Sequence, residues 1–310
     1  MLLSAGSLGS VFLGNMHRQA ALAIAAAVLL CGPVARAEEP LGMKPLYTAR
    51  ALTGIPNASA LTRRLWLPGL NEGYVPQGIV FLDGKLFVSA YRSTDGKQNR
   101  GPCRLYAMNA ETGAVLGHLD LPQSCGHAGG LAPGRSGRLL VTDARVLFEV
   151  ELNEKTGSGI GRVVRTIALA NGVKGSFAAS APDGFWIGAY ERNEAGRIYR
   201  FPWSALQKRR LVRADAIEVV VAPVFSQGAA MDPEGALWVM RSGSKFGELV
   251  KLDRKNGSVL VRYAMPAGAG GVSLGTEGVV WGRLEAGWPG WSKWKGFYPL
   301  AFRFDPARLK

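Results

Sequence analysis

A repeat of about fifty residues constrains the fold of this chain more than any other feature of its sequence. Each unit begins with a strand of small residues, turns at a pair that ends in glycine, and continues into a strand rich in β-formers. The first strands begin at Gln77, Gly129, Ser176, Gln227 and Gly270, and the turns lie at Asp83-Gly84, Ser136-Gly137, Asp183-Gly184, Glu234-Gly235 and Glu277-Gly278. Glycine adopts the positive φ of tight hairpins, and small residues suit a crowded axis. The repeat therefore predicts five hairpins that converge on one axis.

Two further strands complete each unit, and their apolar and polar residues alternate with a period of two, as in residues 104–108. The fifth unit lacks a fourth strand, whereas residues 62–67, upstream of the first unit, are similar to the fourth strands of the other units. We therefore predict an all-β, five-bladed β-propeller over residues 61–306, closed by this N-terminal strand, because closure protects sheet edges. A six-bladed ring, with residues 45–61 in a degenerate blade, is the alternative.

The N-terminal residues predict export. An apolar run at residues 20–31 follows His17 and Arg18 and precedes the small-residue pattern Ala35-Arg36-Ala37, which is typical of a signal peptide over residues 1–37. The run is too short to span a bilayer as a helix. The residues before Met16 carry no positive charge, so Met16 is the candidate start. We expect an N-terminal extension at 38–60, a tail at 307–310, and a monomeric protein without a transmembrane segment that is periplasmic or secreted.

The cysteine count predicts a disulfide, and the net charge limits the classes of binding partner. After the predicted cleavage two cysteines remain, Cys103 and Cys125, and an even count in an exported chain predicts one disulfide, with two buried free thiols as the alternative. The net charge is +14, which favours anionic envelope polymers, anionic lipid heads or acidic ligands, although a high arginine content alone also makes a chain basic. No basic helix, zinc finger or RNP-like motif is present, so no nucleic-acid partner is predicted.

One face of the predicted propeller collects the candidate site residues, because the loops entering the first strands and those leaving the second strands share that face. Every unit places an arginine after its second strand, and arginine suits carboxylate or phosphate. The predicted ligand-binding residues are Gln77, Arg92, Arg145, Lys174, Tyr190, Arg192, Gln227, Arg241, Arg283, Trp288 and Trp291. Solvated arginines whose registers do not converge are the alternative interpretation.

His127 and a tryptophan-rich insertion are further candidates on this face. His127 is the one histidine at the predicted channel mouth, and with Gln77 and Gln227 it could act as a general base. A structural histidine, bonded to a backbone carbonyl beside the disulfide, is the alternative. The insertion at residues 285–299 carries Trp288, Trp291 and Trp294, which could stack on sugars or lie at a lipid interface, or could instead pack onto its own blade.

The blade pattern of residues 62–306 resembles that of the secreted bacterial propellers grouped as SMP-30/gluconolactonase-like, NHL-repeat and YncE-like proteins. Gluconolactonase-like members bind a divalent metal through acids and amides in the channel. The comparable positions here are Gln77, Gly129, Ser176, Gln227 and Gly270. Because none is acidic, we predict no metal or other cofactor, with one divalent metal in the central channel as the alternative.

A second resemblance concerns one residue pair. Plant-type glutaminyl cyclases are also five-bladed and begin with a Gln-Gly strand similar to Gln77-Gly78, but their second, acid-bearing motif has no counterpart here. The sequence as a whole predicts an exported envelope propeller that binds an acidic or carbohydrate ligand on its arginine-bearing face. The alternative is a hydrolase or lyase that acts at the channel mouth with His127 as general base.

Overall fold

Five antiparallel sheets, each a propeller blade, make up the unit Pro40–Lys310. The computed structural model describes residues 39–93, 101–153, 160–275, 280–285 and 289–310. The predicted signal peptide, the predicted turn at Glu277-Gly278 and Trp288 lie outside the described residues. Within these ranges the regular structure consists of strands and short 3-10 turns, so the all-β, five-bladed prediction is confirmed. No helix among the described residues is long and apolar enough to cross a membrane.

The strands follow the chain blade by blade after an initial strand, β1 (Leu61–Trp66). Blade 1 contains β2 (Tyr74–Leu82), β3 (Lys85–Arg92), β4 (Cys103–Asn109) and β5 (Val115–Asp120), and blade 2 contains β6 (Gly130–Pro133), β7 (Arg138–Thr142), β8 (Val146–Leu152) and β9 (Gly161–Leu169). Blade 3 contains β10 (Phe177–Ala181), β11 (Gly184–Gly188), β12 (Gly196–Pro202) and β14 (Glu218–Ala222), with β13 (Arg210–Leu211) added in parallel to blade 2. Blade 4 contains β15 (Ser226–Met231), β16 (Leu237–Ser242), β17 (Gly247–Leu252) and β18 (Val259–Met265), and blade 5 contains β19 (Ala269–Leu274), β20 (Val280–Leu284) and β21 (Leu300–Phe304). The 3-10 turns are Ala58–Ala60, Leu70–Glu72, Trp203–Gln207, Arg213–Asp215, Pro289–Trp291 and Pro306–Arg308.

Strand β1 closes the ring, as the sequence predicts. It is the outermost strand of blade 5 and pairs antiparallel with β21, with Leu61 opposite Phe304 and Trp66 opposite Leu300. The six-bladed alternative is wrong. Residues 40–60 contribute only the isolated bridge of Leu41 with Leu65 and the turn Ala58–Ala60 to the described regular structure. The prolines in this segment lack the N–H groups that a strand donates to its neighbours.

The innermost strands pack so closely that they seal the axis. A Cβ added to Gly228 would lie 2.6 Å from the carbonyl oxygen of Gly270, and one added to Gly271 would lie 2.9 Å from the nitrogen of Ile79. The space left on the axis is about 10 Å³, which is the smallest volume that can hold one water molecule. The small residues of the repeat therefore allow the backbones of the innermost strands to approach closely. The axis is consequently too narrow to form an open channel.

Apolar side chains fill the spaces between neighbouring blades, and a disulfide adds a covalent tie. Trp186 and Trp281 are fully buried there, while Trp238 is half-buried and stacks on Tyr263. Cys103 and Cys125 form the predicted disulfide, with Cα atoms 5.9 Å apart. It joins the start of β4 to the loop that enters blade 2. A closed loop of this size stabilises the fold by about 3 kcal/mol in the chain-entropy description.

Candidate functional site

A cavity of about 700 Å³ lies above the sealed axis and receives loops from every blade. Gln227 lines both this cavity and the small space on the axis, so the cavity lies directly at one end of the axis. The size falls within the range of small-molecule sites. The loops that line it are those that precede the innermost strands and those that follow the second strands. We call it the mouth cavity.

The floor of the mouth cavity contains an amide, a guanidinium and a carboxyl group in contact. Gln77 Nε2 donates a hydrogen bond to Glu285 Oε2 at 3.1 Å, and Arg283 Nε donates to the backbone oxygen of Gln77. Arg283 Nη1 lies 3.6 Å from Glu285 Oε2, which is an ion-pair distance and too long for a hydrogen bond. Arg283 is only 1% exposed, and its Nη1 has no hydrogen-bond partner among the described residues. This nitrogen is a buried donor without a hydrogen bond, and it belongs to a residue that lines the cavity.

Because Gly270 has no side chain, the guanidinium of Arg283 can pack against its backbone. A Cβ at Gly270 would overlap the Cζ and Nη2 atoms of that group. The side chains of Arg283 and Glu285 point to the same side because alternate residues of an extended segment share a face. Glu285 is not among the site residues predicted from the sequence. Its signal is an acid two positions after the arginine near the end of the second strand of the fifth unit.

Burial sets the protonation of Glu285. Desolvation raises the pKa of its carboxyl group, while the charge of Arg283 and the hydrogen bond from Gln77 lower it without reversing the direction. Arginine stays protonated in proteins. The floor therefore holds a permanent positive charge beside a carboxyl group that takes up a proton more readily than an ordinary glutamate.

Asp143 shapes the wall of the cavity by holding the loop that carries His127. Its Oδ2 accepts hydrogen bonds from the backbone N–H groups of Gly126 at 3.0 Å, His127 at 2.6 Å and Ala128 at 3.1 Å. Ala128 has a φ of 53°, which turns the backbone so that the N–H groups converge. Asp143 follows the second strand of blade 2 and is buried. We assign it a positioning role, because its carboxylate is occupied by the loop.

The imidazole of His127 lies against Tyr91, with ring centroids 5.2 Å apart and planes inclined by 28°. Its Nδ1 is buried and has no hydrogen-bond partner among the described residues. Burial lowers the pKa of His127 to about 4, with the positive charge of Arg283 acting in the same direction and the carboxylate of Asp143 acting against both. The ring is therefore neutral at pH 7. A bond from Nδ1 to a backbone carbonyl is not found within the described chain.

Aromatic and basic groups form the upper wall and rim. Trp291 and Trp294 stack with centroids 5.0 Å apart, and both line the cavity. Arg145 and Arg192 are exposed at its rim, and Arg192 Nε donates to the hydroxyl of Tyr190 at 3.3 Å. Gln227 Nε2 donates to the backbone oxygen and the hydroxyl of Ser242, at 3.1 and 3.2 Å. Trp291, Trp294, Arg145 and Arg192 belong to loops that the sequence places on one face, and Gln227 and Ser242 lie at the ends of β15 and β16 on the same side.

Three of the predicted ligand-binding residues do not line the mouth cavity. Arg92 Nε donates to the backbone oxygen of Glu72 at 2.9 Å, and Lys174 pairs with Glu191 at 3.2 Å. Arg241 pairs with Glu248 at 3.0 Å and donates to a backbone oxygen. The five arginines therefore do not converge on one ring. Local carboxylates and carbonyls hold two of them away from the cavity, while Arg145, Arg192 and Arg283 line it.

Candidate metal donors are already occupied by other contacts. Cys103, Cys125 and Asp143 place possible ligand atoms within 4.8 Å of one another, but both sulfurs form the disulfide and the carboxylate accepts three N–H groups. At the floor, Gln77 and Glu285 bond to each other beside a buried guanidinium, which repels cations. These donors do not fit a divalent metal ion, and we derive no chemistry through one.

The described chain is thus a β-propeller with a polar, aromatic-walled cavity at the mouth of its sealed axis. Its sequence matches no known family model and no curated protein. Among solved structures it is similar to glutaminyl cyclase from Myxococcus xanthus, with a TM-score of 0.51, 14% identity, and coverage of 79% of this chain and 94% of that one. At this identity the likeness concerns the fold.

Two other bacterial propeller structures are less similar to this chain than the glutaminyl cyclase is. The PQQ-bound aldose sugar dehydrogenase from Streptomyces coelicolor has a TM-score of 0.40 and 17% identity, over 67% of this chain and 74% of that one. Virginiamycin B lyase from Staphylococcus aureus has a TM-score of 0.36 and 16% identity, over 73% of this chain and 82% of that one. Neither likeness bears on the chemistry of the mouth cavity.

Proposed function

We propose that the mouth cavity binds a small acidic carbohydrate, with the acid group at Arg283. The Nη1 of Arg283, which is buried beside the cavity and has an ion-pair contact with Glu285 but no hydrogen bond, carries this proposal. Buried donors in folded proteins are nearly always satisfied, so a donor left without a hydrogen bond beside a cavity indicates a polar ligand. A carboxylate can accept a charge-assisted hydrogen bond from this nitrogen, and such bonds are stronger than those between neutral groups.

The wall and rim suit the rest of such a ligand. The stacked pair Trp291 and Trp294 offers flat apolar surface to the face of a sugar ring, and Gln227 offers an amide to its hydroxyl groups. Arg145 and Arg192 at the rim make the entrance positive, which favours the approach of an anion. A neutral sugar would give Nη1 of Arg283 no charge-assisted hydrogen bond, so the acidic form is the preferred ligand.

Calorimetric titration of glucuronate, with glucose as the matched neutral sugar, tests this proposal. We expect glucuronate to bind one per chain and glucose to bind at least tenfold more weakly, because a hydrogen bond to a charged group contributes about 1.5–3 kcal/mol. The double variant Arg145→Ala/Arg192→Ala should weaken glucuronate about tenfold. Arg92→Ala, which removes an arginine outside the cavity, is the control. Equal affinity for both sugars, or equal effects of all the arginines, would reject the proposal.

A hydrolase or lyase is the second candidate. It is favoured because His127, whose pKa is lowered, and Glu285, whose pKa is raised, line the same cavity. Pairs whose environments move their pKa values apart are suited to base and acid roles. In a lyase reaction on a uronate, His127 takes the proton beside the carboxylate, and those electrons form a carbon–carbon double bond. The C–O bond to the next sugar breaks, and Glu285 protonates the departing oxygen. Arg283 stabilises the charge that develops on the carboxylate.

Turnover assays separate the two candidates. Oligouronates are incubated with the protein, and the ultraviolet absorbance of the unsaturated product is recorded; a glutaminyl peptide is a second substrate, after the activity of the Myxococcus xanthus relative. If the protein is a lyase, Glu285→Gln and His127→Phe should abolish turnover of oligouronate while glucuronate still binds. His118→Phe, on outer strand β5, is the control. Binding without turnover of either substrate would leave the first candidate and reject the second.

We further propose that the chain is exported to the periplasm or medium of a bacterium. The signal-like N-terminal sequence and the disulfide Cys103–Cys125 support export, since disulfides persist in oxidising compartments. Cell fractionation and the mass of the mature N-terminus test it. We expect a chain that begins near Glu38 outside the cytoplasm, and a cytoplasmic chain that retains residues 16–37 would contradict it.

A further inference from the structure

A second cavity, of about 1120 Å³, lies between blades 4 and 5. The N-terminal extension covers part of it at Thr53–Pro56, and the insertion of blade 5 covers another part. Two hydrogen bonds join these covers: Thr53 N donates to the oxygen of Phe297 at 3.0 Å, and Phe297 N donates to Thr53 Oγ1 at 2.8 Å. The cavity is therefore a half-open crevice bordered by two joined segments, and we call it the lateral cavity.

The walls of the lateral cavity are mostly apolar. They are formed by Ile55, Phe246, Met265, Leu284, Trp294 and Tyr298. Met265, Leu284 and Tyr298 are buried in the core between blades 4 and 5, which keeps this wall fixed. Apolar walls at this volume favour a ligand with a hydrocarbon portion, because burial of each methylene group contributes about 0.8 kcal/mol.

The rim of the lateral cavity is strongly basic. Lys245, Lys293 and Lys295 are exposed there and have no carboxylate partner among the described residues. Glu248 is the acidic side chain that lines the cavity, and it already pairs with Arg241 at 3.0 Å and with Arg262 at 2.7 Å. Its charge is thus compensated, and the three lysines leave the rim with an excess of positive charge.

We propose that the lateral cavity binds a single-chain fatty acid. The acyl chain lies against the apolar walls, and the carboxylate meets the lysines of the rim. Charge complementarity argues for an anionic head group, and the burial of the apolar wall argues for a free molecule. A surface that inserts into a membrane instead protrudes, whereas Tyr298 is 3% exposed and Trp294 is stacked on Trp291. Trp294 lines both cavities, but the proposal does not rest on a ligand in the mouth cavity.

Titration calorimetry with dodecanoate below its micelle concentration is the first test. We expect one dodecanoate per chain, about tenfold weaker binding of decanoate because two methylenes fewer are buried, and weaker binding of dodecanol because it lacks the charge. The double variant Lys293→Ala/Lys295→Ala should bind dodecanoate about tenfold more weakly. Lys208→Ala/Lys255→Ala, which removes two exposed lysines elsewhere, should bind it as the unaltered protein does.

The wall is tested separately by Ile55→Asp, which places a charge against the acyl chain and should reduce dodecanoate binding at least tenfold. Ile217→Asp makes the same change at an exposed position of blade 3 and should leave binding unaltered. Sedimentation with phosphatidylglycerol vesicles distinguishes a membrane as the partner. Absent dodecanoate binding, equal binding of dodecanol, or lysine-dependent vesicle binding without dodecanoate binding would each overturn the proposal.

Discussion

The neutral imidazole of His127 makes a quantitative prediction about stability and pH. Replacing His127 with phenylalanine keeps a flat ring against Tyr91 but removes the group that titrates. In the folded protein burial lowers the pKa of His127 from 6.5 to about 4. Between these two pH values the unfolded chain binds a proton at this residue and the folded chain does not. The free energy of unfolding of the unaltered protein should therefore decrease as the pH falls through this window.

The size of the effect follows from the two pKa values. At about 1.4 kcal/mol for each tenfold change in proton affinity, the fall from 6.5 to about 4 corresponds to at most about 3 kcal/mol. This amount is the extra loss that the unaltered protein should show relative to His127→Phe between about pH 7 and pH 4. Other groups titrate in the same range, but they contribute equally to both proteins and cancel in the difference.

Urea unfolding followed by tryptophan fluorescence at about pH 7, 6, 5 and 4 provides the measurement. As the pH falls, the unaltered protein should lose about 2–3 kcal/mol more stability than His127→Phe does, whichever of the two is more stable at pH 7. His118→Phe, on the outer strand β5, shows whether loss of any histidine has this effect. Parallel curves for the unaltered protein and His127→Phe would refute the assignment of a buried, neutral imidazole.

Three further predictions concern the scaffold. The double variant Cys103→Ser/Cys125→Ser should lower the free energy of unfolding by about 3 kcal/mol under oxidising conditions, measured by urea unfolding. Gly270→Ala should displace the guanidinium of Arg283, cost about 1–3 kcal/mol, and weaken glucuronate binding in calorimetry without removing a charge. Leu65→Ala, in the closing strand, should cost about 2–5 kcal/mol in the same unfolding assay, because Leu65 is fully buried.

Controls for these variants lie elsewhere in the propeller. Gly54→Ala adds a methyl group where no atom lies within 4 Å and should change neither stability nor glucuronate binding. Leu260→Ala, on an exposed part of β18, should change the free energy of unfolding by less than about 0.5 kcal/mol. An unaltered stability after loss of the disulfide under oxidising conditions, or a similar cost for Leu65→Ala and Leu260→Ala, would contradict the respective prediction.

The sequence predicts the blades well because their signals are local. Acid-Gly and Ser-Gly pairs specify tight hairpins, and alternation over five to seven residues specifies half-buried strands. The closing strand could also be inferred, since the fifth unit lacks a fourth strand and residues 62–67 supply one. The face that collects the loops then follows from the order of strands within a blade.

The composition of the mouth cavity is less predictable because it depends on contacts between blades. Arg241 and Arg283 occupy similar positions in the sequence, yet Arg241 is held by Glu248 within its own blade. Arg283 enters the cavity because Gly270, on another strand, leaves room for it. Asp143 is a further case, since its role depends on three backbone N–H groups that converge only at the left-handed Ala128. Sequence spacing does not encode these distances.

The pairing of β1 with β21 has a consequence for how the protein is made. Each of blades 1 to 4 has its four principal strands in one continuous stretch of chain, so each can form while synthesis continues. Blade 5 cannot, because Leu61 must wait for Phe304 to leave the ribosome before its strand has a neighbour. Until then one strand edge stays open to other chains. The nascent protein should therefore be most prone to aggregation, and most dependent on chaperones, just before its last strand emerges.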